Sequence, residues 1–315
     1  METGNNSSNV LVVNVSPHIY ERQSTESIMR DVLIAMVPAA LAGFYYFGLR
    51  ALLVVLTSVS GCMISEWIFQ KIARRPNTLY DGSAAVTGVL LAFCLPSTLP
   101  LYMVFAGGCV SIIAGKMVFG GLGYNIFNPA LVGRAVLMAS WPQDMTTWSA
   151  PGGAFPGFYD TVARATPLAG FKTGSLSSNY WDLFTGNIGG CLGETSAAAI
   201  LIGGIFLMAR KVIKPVIPLC FIGSVFVMSF LLKFDPVYAV LSGGVFLGAF
   251  FMATDYATSP LTTKGRIIFG VGCGIITVMI RGFGGFPEGV CYAILFMNGL
   301  VPLIDRYTKP KAFGV

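Results

Sequence analysis

Apolar residues fill long stretches of this chain, and polar residues gather between them. Ten apolar segments run roughly over 32–49, 51–70, 83–95, 99–118, 125–140, 193–210, 214–232, 236–253, 265–282 and 288–305. A helix that crosses a bilayer needs roughly 20 mostly apolar residues, and most of these segments approach that length. The segment 83–95, bracketed by Gly82 and Pro96, is too short to cross unaided. Short or Gly/Pro-interrupted segments of this kind predict half-helices buried within protein, as in transporter-like cores. The pattern predicts an all-α membrane protein with ten transmembrane helices, some of them broken.

Composition points the same way. The 315 residues are 55% hydrophobic and 11% charged, with a mean hydropathy of +0.73. A soluble domain carries about 25% charged residues, so this chain has too little polar surface to cover a water-soluble body. The net charge of +6 is modest, and in such a chain it reports orientation rather than nucleic-acid binding. Placing the N-terminus in the cytoplasm puts 14 Lys and Arg on the inner side and 5 on the outer. Arg134, inside a span, completes the 20. That bias predicts that both termini are cytoplasmic.

The expected order is a cytoplasmic segment over 1–30, a first group of five helices over 31–140, an outer loop over 141–192, a second group over 193–305, and a cytoplasmic tail over 306–315. Two internal matches suggest duplication. D-G-S-A-A-V-T-G-V-L-L-A-F (81–93) resembles E-T-S-A-A-A-I-L-I-G-G-I-F (194–206), and N-P-A-L-V-G-R (128–134) resembles S-P-L-T-T-K-G-R (259–266). An odd number of spans in the first unit sends the second in from the opposite side, so the expectation is two inverted five-helix repeats. Chance similarity among small apolar residues is the competing reading.

The chemistry is sparse. Seven cysteines are scattered without a C-x-x-C spacing, and His18 stands alone. No metal site is expected, and the cysteines read as small buried hydrophobes. Intramembrane charges are costly and often functional. Asp81, Glu194 and Asp255 fall at span entrances and Arg134 within a span. Two roles are open to the acids: ion or cofactor contact near broken-helix ends, or charge pairing and helix capping. Asp81 and Glu194 stand just before apolar runs, as caps do. In the outer loop, Y-D-T-V-A-R-A-T-P-L (159–168) reads by itself as an ordinary polar turn, because Thr is a poor nucleophile without an activating base.

Several motifs together resemble the RnfD/NqrB family of membrane redox pumps. They are S-P-H-I (16–19), M-R-D-V-L-I-A-M-V-P-A (29–39), L-Y-D-G-S-A-A-V-T-G-V-L-L-A-F-C-L-P (79–96), G-K-M-V-F-G-G-L-G-Y-N-I-F-N-P-A-L-V-G-R-A (115–135), G-E-T-S-A-A-A (193–199) and F-M-A-T-D (251–255). The likeness spans nearly the whole chain, and its length resembles the RnfD branch. It implies FMN joined by a phosphoester bond to a Thr in a D-x-x-[S/T]-x-A-T segment, attached by an extracytoplasmic flavin transferase. The matching residues are Thr166, Ala165 and the motif acid Asp160. The chain departs from the pattern at Ala163 and Arg164, and Arg164 is a candidate contact for the FMN phosphate. The resemblance further implies a second, non-covalent flavin (riboflavin) near the cytoplasmic side, with Asn128, Pro129 and Arg134 as candidates to hold it. The implied setting is a prokaryotic cytoplasmic membrane. The implied partners are Rnf-type subunits carrying the iron–sulfur, FMN and NAD sites, since no dinucleotide fingerprint occurs here. A non-redox channel of the urea or ammonium type shares the expected architecture and is the alternative.

Overall fold

The computed structural model describes residues 24–152, 166–170, 179–285 and 288–309. Asp160, Arg164 and Ala165 lie outside the described residues. No β-strand occurs among the described residues, and each of the ten apolar segments is helical. In the first half these are α1 (Thr25–Phe47), α2 (Leu49–Ile72), α3 (Ser83–Phe93), α4 (Leu101–Ile112) and α5 (Pro129–Ser140). Short helices α6 (Pro142–Met145) and α7 (Tyr180–Thr185) flank the long loop. The second half holds α8 (Ala197–Ala209), α9 (Val216–Leu231), α10 (Pro236–Leu241), α11 (Val245–Leu247), α12 (Thr263–Phe283) and α13 (Val290–Thr308).

Local chemistry sets these boundaries. Ser24, Asn128, Ser196, Asp235 and Thr262 each accept a backbone N–H of the first turn of their helices, as N-caps do. Pro129 and Pro236 occupy first-turn positions, where the missing N–H costs nothing. Gly48, at φ 64°, separates α1 from α2, a conformation open to glycine without strain.

Four helices, α1, α2, α12 and α13, are long and apolar enough to cross a membrane. The others are shorter. α3 has 11 residues, about 16 Å at 1.5 Å per residue, half of a hydrocarbon core. Two helices pass into π turns: α4 into Ile113–Met117 and α11 into Gly248–Met252. Ser242–Gly244 interrupts the segment 236–253, which yields two short helices rather than one.

The surface exposes large apolar side chains, and charged side chains are buried within a largely apolar interior. Leu41, Leu56, Ile72, Phe230 and Phe283 are each more than half exposed, whereas Glu66, Lys116, Arg134 and Arg281 are 2% exposed or less. Water would penalise both halves of that arrangement; hydrocarbon penalises neither.

Three helix pairings of the first half have counterparts in the second. α2 packs on α3 and α4, and α4 on α5. Likewise α9 packs on α10 and α12, and α12 on α13. The halves meet through α1 with α8 and through α5 with α13. Gly108 brings α4 against the α2 backbone at Ser58 and Cys62, and Gly270 brings α12 against the α9 backbone at Ile217 and Phe221. The two sequence matches do not follow this order. Segments 81–93 and 194–206 fall on α3 and α8, and segments 128–134 and 259–266 begin α5 and α12. Helix starts favour the same small and polar residues whatever their place in the fold, which produces such likeness without equivalence.

The structure also corrects the charge count, which places Lys116 on the inner side and Arg281 on the outer. Both are buried inside the helix bundle, so neither reports orientation. The bias without them is still strongly inward.

Candidate functional site

Two polar centres lie within the bundle, each beside a pocket. The first begins at Thr166. This residue is 8% exposed and directly precedes the Pro167–Gly170 turn. Tyr238 Oη on α10 donates to the Pro167 carbonyl at 3.0 Å and fixes the segment against the bundle. Thr166 lines a pocket of roughly 390 Å³ together with Trp148, Ile188, Gly243, Glu194 and Glu288.

Beside that pocket, Arg134 on α5 meets both carboxylates. Its Nη1 donates to Glu194 Oε1 at 2.8 Å, and its Nη2 donates to Glu288 Oε2 and, at 3.6 Å, to Cys191 Sγ. The ligand atoms of Cys191, Glu194 and Glu288 lie within 4.8 Å of one another, a spacing suited to a metal. The Arg134 guanidinium already binds all three side chains and supplies the positive charge a metal would bring. Arg281 on α12 lies close by, donating to the Ala239 carbonyl at 2.6 Å and the Ser242 carbonyl at 3.0 Å. The two guanidiniums balance the two carboxylates, as buried charges require.

The second centre is larger. A pocket enclosing roughly 780 Å³ is lined by Asn128, Pro129, Asp255, Ser83, Lys116 and Phe251, with further apolar side chains from α1, α3 and α8. Asn128 Oδ1 caps α5 by accepting from Ala130 N at 3.1 Å, while its Nδ2 donates to the Met252 carbonyl at 3.2 Å. Burial pushes the Asp255 carboxyl above its ordinary range, against hydrogen bonds from Thr258 and Asn125. Apolar walls with a few convergent polar groups are the usual lining of a small-molecule site.

The structure therefore brings Asn128, Pro129 and Asp255 together and sets Arg134 apart. Arg134 lies six residues along α5 from Asn128, about 9 Å at 1.5 Å per residue, and belongs to the Thr166 side. Glu194 does not cap α8; Ser196 does, accepting from Ala199 N at 3.3 Å. Asp81 does accept from Ser83 N, at 2.8 Å. Sequence reasoning missed Glu66, Lys116, Arg281 and Glu288. The first three interrupt apolar segments, which is the available signal, because charge within a span needs a buried partner.

Comparison with known proteins then decides the family. Residues 12–314 match the model described as NQR2, RnfD, RnfE family. The chain belongs to that family. A similar relative, at 48% identity over 97% of this chain and 96% of its own length, is named as a subunit of the Na(+)-translocating ferredoxin:NAD(+) oxidoreductase complex of Acetobacterium woodii. Another, at 42% identity over 97% of both chains, is named as a subunit of the proton-translocating ferredoxin:NAD(+) oxidoreductase complex of Clostridium ljungdahlii. A third family member, from Erwinia tasmaniensis, is 36% identical over 95% of this chain and 97% of its own, and is named as a subunit of an ion-translocating oxidoreductase complex.

Proposed function

We propose that this chain is the membrane electron-transfer subunit of a redox-driven Na⁺ or H⁺ pump coupling ferredoxin and NAD, and that it carries FMN esterified to Thr166. The observation that carries the reading is the position of Thr166. It is nearly buried on the wall of a pocket that also presents Trp148, beside the Arg134–Glu194–Glu288 centre, whose charge the nearby Arg281 balances. Family membership along almost the whole chain supports the assignment.

A flavin bound at Thr166 would supply the electron chemistry; the protein supplies placement and electrostatics. Trp148 offers a flat wall, and the paired charges hold the local field near neutral without mobile ions. The phosphate contact at Arg164, and the Asp160–Ala165 motif read by a flavin transferase, belong to the same proposal. The larger pocket holds the second, non-covalent flavin: its walls are mostly apolar, and Asn125, Asn128 and Thr87 are among the polar groups that line it. Arg134 belongs to the Thr166 centre instead.

Ten membrane spans, as two inverted five-helix units with both termini in the cytoplasm of a prokaryote, fit the matching helix pairings and the inward charge bias. Partner subunits would hold the iron–sulfur, FMN and NAD sites. A denaturing gel of protein made with its transferase tests the reading: in-gel flavin fluorescence is expected, and Thr166→Ala should abolish it. Wild-type protein without fluorescence would return the chain to the non-redox channel class.

A further inference from the structure

Glu66 on α2 and Lys116 in the π turn after α4 are 0% and 2% exposed, with Nζ to Oε2 at 2.7 Å. Stability alone is a poor reason for such a pair, because burying two charges costs desolvation that apolar replacements avoid. Its connections offer a better one. Lys116 Nζ also donates to Ser83 Oγ at 2.6 Å, and Ser83 Oγ donates to Asp81 Oδ1 at 2.6 Å. Glu66 Oε1 accepts from Gln70 Nε2 at 3.1 Å and from Thr78 Oγ1 at 3.0 Å, which fixes the carboxylate.

The two ends of this chain face different spaces. Asp81 and Thr78 line a wide-mouthed depression of roughly 1570 Å³ that opens to solvent. Ser83 and Lys116 line the 780 Å³ pocket assigned above to the second flavin. Carboxyl, hydroxyl and ammonium thus join an aqueous mouth to the pocket wall without a gap. An ammonium at the junction repels a metal cation, whereas every link carries a transferable hydrogen. The other ionisable groups around Lys116 are Cys62 on α2 and, lining the same pocket, Asp255 and Tyr256.

We propose that Asp81, Ser83 and Lys116 relay protons from the aqueous mouth to the redox group of the larger pocket, with Glu66 holding the Lys116 side chain in place. The inference rests on the reading that this pocket holds a non-covalent flavin. A flavin held in the pocket would supply the electron chemistry, with an iron–sulfur or flavin centre of a partner subunit as its reductant. Lys116 would give up one N–H proton toward the pocket on that reduction. A solvent proton from the aqueous mouth first loads the Asp81 carboxylate; Asp81 passes it to Ser83 as Ser83 passes its hydroxyl proton to the neutral amine, and Asp81 returns to the carboxylate. One proton enters for each proton delivered.

The test uses the whole membrane complex, with Asp81→Asn, Ser83→Ala and Lys116→Ala. Two quantities are measured: acid-extractable riboflavin, resolved from the FMN of partner subunits, and proton uptake on reduction by dithionite, followed with a pH-indicator dye in rapid mixing. Asp81→Asn and Ser83→Ala should retain the extractable flavin and slow proton uptake about a hundredfold, the low end for loss of a positioned proton donor. Lys116→Ala should be slowed likewise and recover with added methylammonium, which a purely structural lysine would not do. Wild-type uptake rates in both Asp81→Asn and Ser83→Ala, with flavin present, overturn the relay alone. Absence of extractable riboflavin from the wild-type complex overturns the pocket assignment on which it rests. If Lys116→Ala loses its flavin, the Asp81 and Ser83 variants decide.

Discussion

Arg134 on α5 and Glu194, just ahead of α8, meet at 2.8 Å in the buried centre of the protein, so one ion pair ties the first half of the chain to the second. Glu288 shares the same guanidinium. Removing one partner of a buried pair leaves an uncompensated charge, at a cost of about 3–5 kcal/mol. Arg134→Met strands two carboxylates and should fall at or above that range. Glu194→Gln in the same chain should recover part of the loss. The check is a double-mutant cycle on thermal unfolding in detergent; strictly additive losses would show that the two residues are not coupled.

Tyr238 holds the turn after Thr166 by donating to the Pro167 carbonyl at 3.0 Å. Tyr238→Phe keeps the buried ring and removes that donor. The orphaned carbonyl should cost about 1–3 kcal/mol, with its effect concentrated at the turn. Hydrogen exchange of the amides at 168–170 should quicken while α12 and α13 keep their protection. Unchanged exchange there would mean that other contacts hold Thr166 in place.

Most of the helical scaffold was legible because hydropathy alone marks it: α1, α2, α12 and α13 stand out as long apolar runs. The breaks were legible where Gly or Pro flanks a run, as at Gly82 and Pro96. The π turns were not, since Ile113–Met117 and Gly248–Met252 carry no distinctive residues. Pairing was the harder problem. Arg134 is recognisable as needing partners, but one of them, Glu194, is 60 positions away, and Glu288 sits near a glycine-rich turn that looks like an ordinary loop. Asn128 and Arg134 share α5, and the family resemblance groups them at one site. Along a helix, six residues separate side chains by more than a turn and a half, which is enough to give them to different centres.

Asn128 is positioned to serve both helix and pocket. Asn128→Ala removes the cap of α5, a loss of about 1 kcal/mol, together with an amide that lines the larger pocket. The expected result is less acid-extractable riboflavin per complex, while in-gel fluorescence from Thr166 stays at the wild-type level. Parallel loss of both signals would indicate collapse of α5 rather than a local effect, since Arg134 rides on the same helix.

Helix contact through small residues gives the sharpest contrast. A Cβ placed on Gly203 of α8 would overlap the Ala35 carbonyl oxygen of α1, whereas one on Gly223 of α9 meets nothing within 4 Å. Both glycines sit inside helices, where alanine is intrinsically better by about 0.8–1.0 kcal/mol. At Gly223 only that preference acts, so Gly223→Ala should leave thermal stability unchanged or raise it slightly. At Gly203 the neighbour is backbone and cannot rotate away. Gly203→Ala must push α1 from α8, at about 1–3 kcal/mol or more for an overpacked contact, along one of the two seams that join the halves. Comparing the unfolding temperatures of the two variants isolates the contact from the propensity. Equal temperatures would mean that α1 and α8 are not packed this closely in the membrane.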